Sequence, residues 1–195
     1  MSDEKHLEAL LATGRWGGRG AGCIVVSKNT GRVLLPLRSD EVLEPGTWGT
    51  FGGAVDEHEH PEDAALRELV EETLCDPLDV IELLASHLYQ EAGSGFEYHN
   101  FIAVVDAEYE PALNWESADA QWFEPGNWPS PLHFGLKAFL ESDKAKRQLT
   151  ELSGRSMVEP NRAPTVFEDL KAMLAKIGEE TAPLPPATLR GPKLR

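Results

Sequence analysis

Gly53-Ala54-Val55-Asp56-Glu57-His58-Glu59-His60-Pro61-Glu62-Asp63-Ala64-Ala65-Leu66-Arg67-Glu68-Leu69-Val70-Glu71-Glu72-Thr73-Leu74-Cys75 is the stretch on which the reading of this chain turns. Its second half has helical spacing from Pro61 to about Leu74. Pro61 suits the first helical position, where its missing N–H costs nothing, and Glu62 and Asp63 suit the positive end of the helix dipole. Pro77 is expected to stop the helix soon after. On a wheel of about 100° per residue, Glu68, Glu71 and Glu72 share an arc of roughly 100°. Leu66, Leu69, Val70 and Thr73 take the other side, so one face is expected to pack and the other to present carboxylates. Pairs at i,i+3 and i,i+4 repel by a few tenths of a kcal/mol each, roughly, even when solvated. A cation is expected there, and hard ions such as Mg²⁺ or Mn²⁺ favour such oxygen ligands. A solvated acidic face is the plainer alternative.

Outward from this helix the pattern is mostly β. Cys23 to Val26 and Arg32 to Leu37 are β-rich runs joined by Ser27-Lys28-Asn29-Thr30-Gly31, a hairpin signal. Trp48 to Phe51 reads as a short strand running into Gly52-Gly53. Strands are expected again at Val80 to Tyr89, Tyr98 to Val105 and Ala120 to Phe123, with a Gly-rich turn at 93–95. Pro131 to Leu140 restarts helical spacing, with a continuation towards Leu152.

The tails read differently. Ser2 to Ala12 suggests a short amphipathic helix through Leu7, Leu10 and Leu11. The glycines of 14–22 lack both the Gly-Lys-Ser/Thr ending of a P-loop and G-x-G-x-x-G spacing, so they read as a flexible lead-in. Prolines from Pro160 to Pro192 bracket one helical segment, Val166 to Ile177, ahead of a final dozen residues expected to be disordered. The divisions expected are a lead-in at 1–19, a domain at 20–142, and a helical, Pro-rich extension at 143–195.

Composition narrows the function. The 195 residues are 41 % hydrophobic and 26 % charged, a globular balance. Eighteen Lys plus Arg against 33 Asp plus Glu leave a net charge of −15, which disfavours extended nucleic-acid binding. No run approaches the ~18 apolar residues of a membrane span, and the acidic start is unlike a signal peptide. With only Cys23 and Cys75, read as buried thiols, a cytoplasmic address is expected.

The box spacing then adds its own signal. Gly53, five residues, Glu59, seven residues, and Arg67-Glu68-Leu69-Val70-Glu71-Glu72 resembles the Nudix box, G-x5-E-x7-R-E-U-x-E-E-x-G-U with U apolar. Chance agreement at six fixed identities is on the order of one in ten million per window. The resemblance covers about Gly20 to Glu141 and departs once, Leu74 standing where the family has glycine. It implies an α/β fold, a three-layer α/β/α sandwich around a mixed central sheet. It implies hydrolysis of a nucleoside diphosphate linked to another group, dependent on Mg²⁺ or Mn²⁺. Carried over residue by residue, it makes Glu68, Glu71 and Glu72 metal ligands, has Arg67 and Glu59 brace the loop with Glu59 near a second metal, and brings the Gly53 backbone close to metal and phosphate. Arg67, Glu68 and Glu71 are thus catalytic candidates.

The general base varies in the family. Glu116 stands where a bacterial member that removes oxidised dGTP has an additional metal-binding glutamate, and Glu97 is the competitor; a solvated loop acid is the plainer reading. Arg38, Trp48 and His133 are candidate substrate contacts. Trp48, Trp115 and Tyr98 could each stack a base or pack, and His133 could contact a base or open a surface helix. His58 and His60 read as solvated. The expected partner is a small nucleotide, with no extended nucleic acid and no membrane; a homodimer is compatible. Three function classes compete: a Nudix pyrophosphohydrolase, a silent Nudix-like module that senses a nucleotide, and an interaction protein whose acidic helix meets a basic partner. The intact set of box acids favours the first.

Overall fold

In a computed structural model of the chain, residues 18–156 other than 92 and 94 are described. The helices expected at 2–12 and 166–177 lie outside the described residues. Strands β1 (Arg19–Ser27), β2 (Val33–Arg38), β3 (Phe51–Ala54), β4 (Val80–Gln90), β5 (Glu97–Val105) and β6 (Ser117–Phe123) form one mixed sheet in the order β4-β5-β1-β2-β6. β1 and β5 run parallel along their whole length. The other neighbours are antiparallel.

The free edge of β1 is shared between two partners. Its first half pairs with β3 through Gly20 to Cys23, and its second half pairs with β2 through Val25 and Val26. The hairpin expected around Ser27 to Gly31 is present, closed by the Gly31 N–H donating to the Ser27 carbonyl at 2.7 Å. β3 begins later than expected: Trp48 forms only isolated bridges, to Leu37 and to Leu132.

Helix α1 (Pro61–Thr73) covers one face of the sheet. On that side Ala21, Cys23, Val25, Leu34, Phe51, Leu69 and Phe101 make a dry cluster. Helices α2 (Phe134–Glu141) and α3 (Asp143–Ser156) lie against the other face. There Ile24, Val26, Val33, Leu35 and Ile102 meet Leu136, Phe139, Leu149 and Leu152. Alternate residues of β1 thus feed opposite cores, which is why its sequence reads as an unbroken apolar run. The result is the expected three-layer α/β/α sandwich.

Three details differ from the sequence reading. α1 is ended by Leu74 itself, 73 % exposed and held at φ 51° with its N–H on the Val70 carbonyl. Leu74 therefore adopts the left-handed conformation that glycine favours at such a position, and Pro77 instead opens a one-turn 3₁₀ helix, Pro77–Asp79, capped by Asp76. α2 starts at Phe134 rather than Pro131, because Pro131 to His133 are held extended against Trp48: its N–H donates to the Pro131 carbonyl and its carbonyl accepts from the His133 N–H. The helix also does not run on to Leu152. Ser142 turns out of helical geometry, at φ −67° and ψ 140°, and its hydroxyl accepts from the Ala145 N–H as an N-cap for α3. Ala145, Leu149 and Leu152 of α3 are buried, so the packed body continues past residue 142.

Candidate active site

The split pairing of β1 lays the Gly52-Gly53 segment of β3 directly over α1. A side chain on Gly53 would displace Glu68: a Cβ there would stand 2.6 Å from the Glu68 Oε1. Next to it, the Gly52 N–H donates to the Glu72 carboxylate. Glu68 and Glu72 are therefore buried, at 9 % and 3 % exposed, between helix and strand. This corrects the wheel reading, in which all three glutamates lay on the face away from the packing. Only Glu71 turns outward, its side chain 56 % exposed.

Arg67 organises the approach to these acids. Its Nε and Nη2 donate to the two Glu59 carboxylate oxygens at 2.9 and 3.0 Å, and Nη2 also reaches the Ala54 carbonyl at 3.0 Å. Nη1 donates to Glu68 Oε1 at 2.8 Å and to Glu71 Oε2 at 3.4 Å. The Asp56 N–H donates to Glu59 Oε2 at 2.9 Å, tying the loop before α1 to the same pair. The bidentate fork of an arginine suits this role where a lysine ammonium would not.

Electrostatics divides the acids into two kinds. The Arg67 hydrogen bonds hold the Glu59 carboxyl below the usual range. Burial lifts Glu68 to about 6 against the pull of Arg67. Glu72 is raised well above the usual carboxylate value by burial and then by the charge of Glu116. Glu116 is itself raised, chiefly by burial. Three carboxylates that hold protons more tightly than usual thus act on one another within one site.

Glu116 reaches this cluster because its loop is fastened to the end of α1. The Asn114 N–H donates to the Glu72 carbonyl at 3.2 Å and the Ala112 N–H to the Thr73 carbonyl at 3.0 Å. The Asn114 side-chain oxygen accepts from the Glu116 N–H at 2.9 Å. Glu97 lies elsewhere, hydrogen-bonded to Gln90 at 2.8 Å and near His99 at 3.7 Å.

No three His, Cys, Asp or Glu side chains among the described residues are gathered as a ready cage for a cation. Arg67 holds Glu68 and Glu71 in ion pairs instead. The donors nevertheless fit a hard divalent ion in kind: all are carboxylate oxygens, and the mutual repulsion among Glu68, Glu72 and Glu116 is what a cation would relieve.

A cavity of about 320 Å³ opens on the other side of Gly52 and Gly53, bounded by Arg38, Tyr98, Asn100 and the start of α2 at His133. Arg38 and His133, the other two candidate contacts, both line this cavity. The Arg38 charge also acts on Glu72 and Glu116, so this residue faces both cavity and acids. Trp48 does not: it is 8 % exposed and packs edge-on to Phe123 with ring centroids 5.0 Å apart, which corrects its reading as a base contact. The His58 side chain is 91 % exposed, as the solvated reading expects. The sequence reading missed Asn100 and Glu44, both at the cavity. The available signal for Asn100 was a lone polar residue heading the apolar run Phe101 to Val105 of a strand buried on both faces.

The family model of the NUDIX domain matches residues 17–142. A provisionally named 8-oxo-dGTP diphosphatase 3 of Mycobacterium tuberculosis is 31 % identical over 132 residues, covering 63 % of this chain and 60 % of that relative. The chain thus spans less than two thirds of that relative's length. Among solved structures, a Nudix hydrolase from M. smegmatis is 28 % identical with a TM-score of 0.57, covering 75 % of this chain and 92 % of that one. A MutT NUDIX hydrolase from Burkholderia pseudomallei is 27 % identical with a TM-score of 0.51, covering 64 % and 96 %.

Proposed function

The chain belongs to the NUDIX family, and we propose that it is a pyrophosphohydrolase that uses Mg²⁺ or Mn²⁺ to cleave a nucleoside diphosphate linked to a further group. The observation that carries this reading is the pair of buried carboxylates Glu68 and Glu72 packed under the Gly52-Gly53 segment that lines the cavity, with the half-buried Glu116 acting on both; all three are raised in proton affinity. Glu68, Glu71 and Glu72 would hold the ions, with Glu59 serving through Arg67. When bound, a divalent ion supplies positive charge against the phosphates and acidifies water.

The chain's own residues then divide the work. The nucleoside enters the cavity, and its phosphates cross the side-chain-free Gly52-Gly53 backbone towards α1. Arg38 faces the phosphates as a cation. Glu116 accepts the proton of the attacking water as the new P–O bond forms and the bridging P–O bond breaks, the leaving phosphate carrying the electron pair. The Glu59–Arg67 brace keeps the loop before α1 fixed while this happens. The name of the mycobacterial relative makes an oxidised deoxyguanosine triphosphate the first substrate to try. Reaction in the cytoplasm, on a small nucleotide, is the setting this reading implies.

The test is a panel of nucleoside triphosphates, ADP-ribose, dinucleoside polyphosphates, dinucleotide cofactors and capped RNA, assayed for phosphate or pyrophosphate release with Mg²⁺ and Mn²⁺. Turnover that vanishes in EDTA supports the reading. Nucleotide binding with no turnover on any substrate replaces it with the silent sensor module.

A further inference from the structure

We propose that Asn100 is a specificity-determining residue, its side-chain oxygen accepting an N–H from a guanine-type base edge held in the cavity beside Gly52 and Gly53; this rests on the nucleotide-cleaving reading of the site. Asn100 lies on β5 opposite Gly22 of β1, and it is 2 % exposed. It borders the cavity. Its amide nitrogen faces the Tyr98 carbonyl at 3.4 Å, which fixes which end of the amide is which. That leaves the oxygen, and the Asn100 Oδ1 has no hydrogen-bond partner.

A buried acceptor without a partner is costly, and such groups are rare in folded proteins. Nothing in the fold requires one at this position. The next residues on the strand, Phe101 to Val105, are all apolar and buried. The chain keeps a polar group where it meets the cavity, and a ligand donor is what would satisfy it.

The rest of the cavity indicates the kind of donor. Tyr89, Phe96 and Phe134 supply rings for a flat base. At the rim, Glu44 adds a second acceptor. The His133 Nδ1 accepts from the Gly135 N–H at 3.1 Å, so its ring proton sits on Nε2, 3.7 Å from Glu44 Oε2. Guanine offers two adjacent donors, N1–H and the 2-amino group. Adenine offers there only its amino group beside a ring acceptor, so it would satisfy Asn100 alone and its ring nitrogen would oppose a second acceptor such as Glu44. An oxidised guanine keeps the guanine edge, so the inference deepens the first choice of substrate by naming the group that reads it.

The experiment titrates GMP and AMP into the full chain in EDTA, where no metal chemistry contributes, and compares wild type with Asn100→Leu. Wild type is expected to bind GMP more tightly than AMP. Asn100→Leu is expected to weaken GMP roughly 10- to 100-fold and to erase that preference, while its Tm holds or rises because an unpaired acceptor is gone. Where Asn100→Leu does not fold, Asn100→Val, which suits a strand and carries no acceptor, gives the same readout. Equal GMP affinity in wild type and variant overturns the proposal, as does a wild type that does not prefer GMP. GMP binding lost in the variant, with no turnover by wild type on any nucleotide, leaves base reading standing and removes the hydrolase reading instead.

Discussion

A Cβ placed on Gly53 would stand 2.6 Å from the Glu68 carboxylate, so strand β3 and helix α1 are in contact through a position where any side chain must displace the acid that Arg67 holds. The backbone of Gly53 is not in the left-handed region, so the restriction comes from Glu68 rather than from conformation. Gly53→Ala is expected to cost about 1–3 kcal/mol by overpacking and to lower turnover at least tenfold. Adding Glu68→Ala opens the space again. The double variant is expected to recover Tm in chemical denaturation or calorimetry without recovering activity. A Gly53→Ala protein as stable and active as wild type removes the contact as a constraint.

Glu72 is the more deeply buried acid, and its environment favours a proton. Glu72→Gln keeps volume and lacks the charge that burial and Glu116 oppose. Metal-free Tm is expected to hold or rise while turnover with Mg²⁺ falls about a thousandfold or more, the loss expected of a group that orients the catalytic cation. Glu68→Gln is expected to behave likewise, tempered by its hydrogen bond from Arg67. Near wild-type turnover in both variants refutes their assignment as metal ligands.

The box itself was legible because everything that defines it is local: helical period, the first-turn acids and the spacing to Gly53 lie within one short segment. What surrounds it was less so. A wheel ranks faces by polarity, yet it is the passage of β3 over α1 that sends Glu68 and Glu72 inward, and no local pattern announces that β1 divides its edge between β2 and β3. Trp48 was misassigned for a related reason. An indole suits a base or a core equally well, and its partner Phe123 reaches it only through the pairing of β2 with β6. Asn100 and Glu44 meet at the cavity through tertiary structure alone.

The same burial gives a pH dependence of stability with a definite sign. In metal-free protein Glu68 is raised from the usual 4.5 to about 6, and Glu72 and Glu116 are raised too. The folded state therefore binds more protons than the unfolded state in this window, and stability falls as pH rises. That contribution is fully present below the unfolded value and lost as pH climbs through the folded values. Glu59 acts oppositely: lowered by Arg67, it contributes above the unfolded value, and that contribution is lost as pH falls through its folded value. Tm in EDTA is expected to peak in the mildly acid range and decline towards pH 8, with Mg²⁺ restoring much of the loss. A Tm that climbs steadily from pH 5 to 8 without metal contradicts the burial of these charges.

The general base is the last assignment to separate, and geometry now ranks the candidates. Glu116 is fastened to the end of α1 through Asn114 and acts electrostatically on Glu68 and Glu72. Burial raises its proton affinity above that of an ordinary carboxylate, which favours proton uptake. Glu97 is engaged with Gln90 and His99 at the start of β5. Glu116→Gln is therefore expected to lower kcat by about two orders of magnitude, within the ~10²–10⁴ contribution of a general base, with little change in KM. The acid limb of its kcat–pH profile should flatten, which loss of a merely structural contact would not produce. Glu97→Gln is expected to cost less than about tenfold, below that range. A larger loss at Glu97 than at Glu116 moves the base to β5, and full kcat in both variants returns it to Glu59 or another acid of the box.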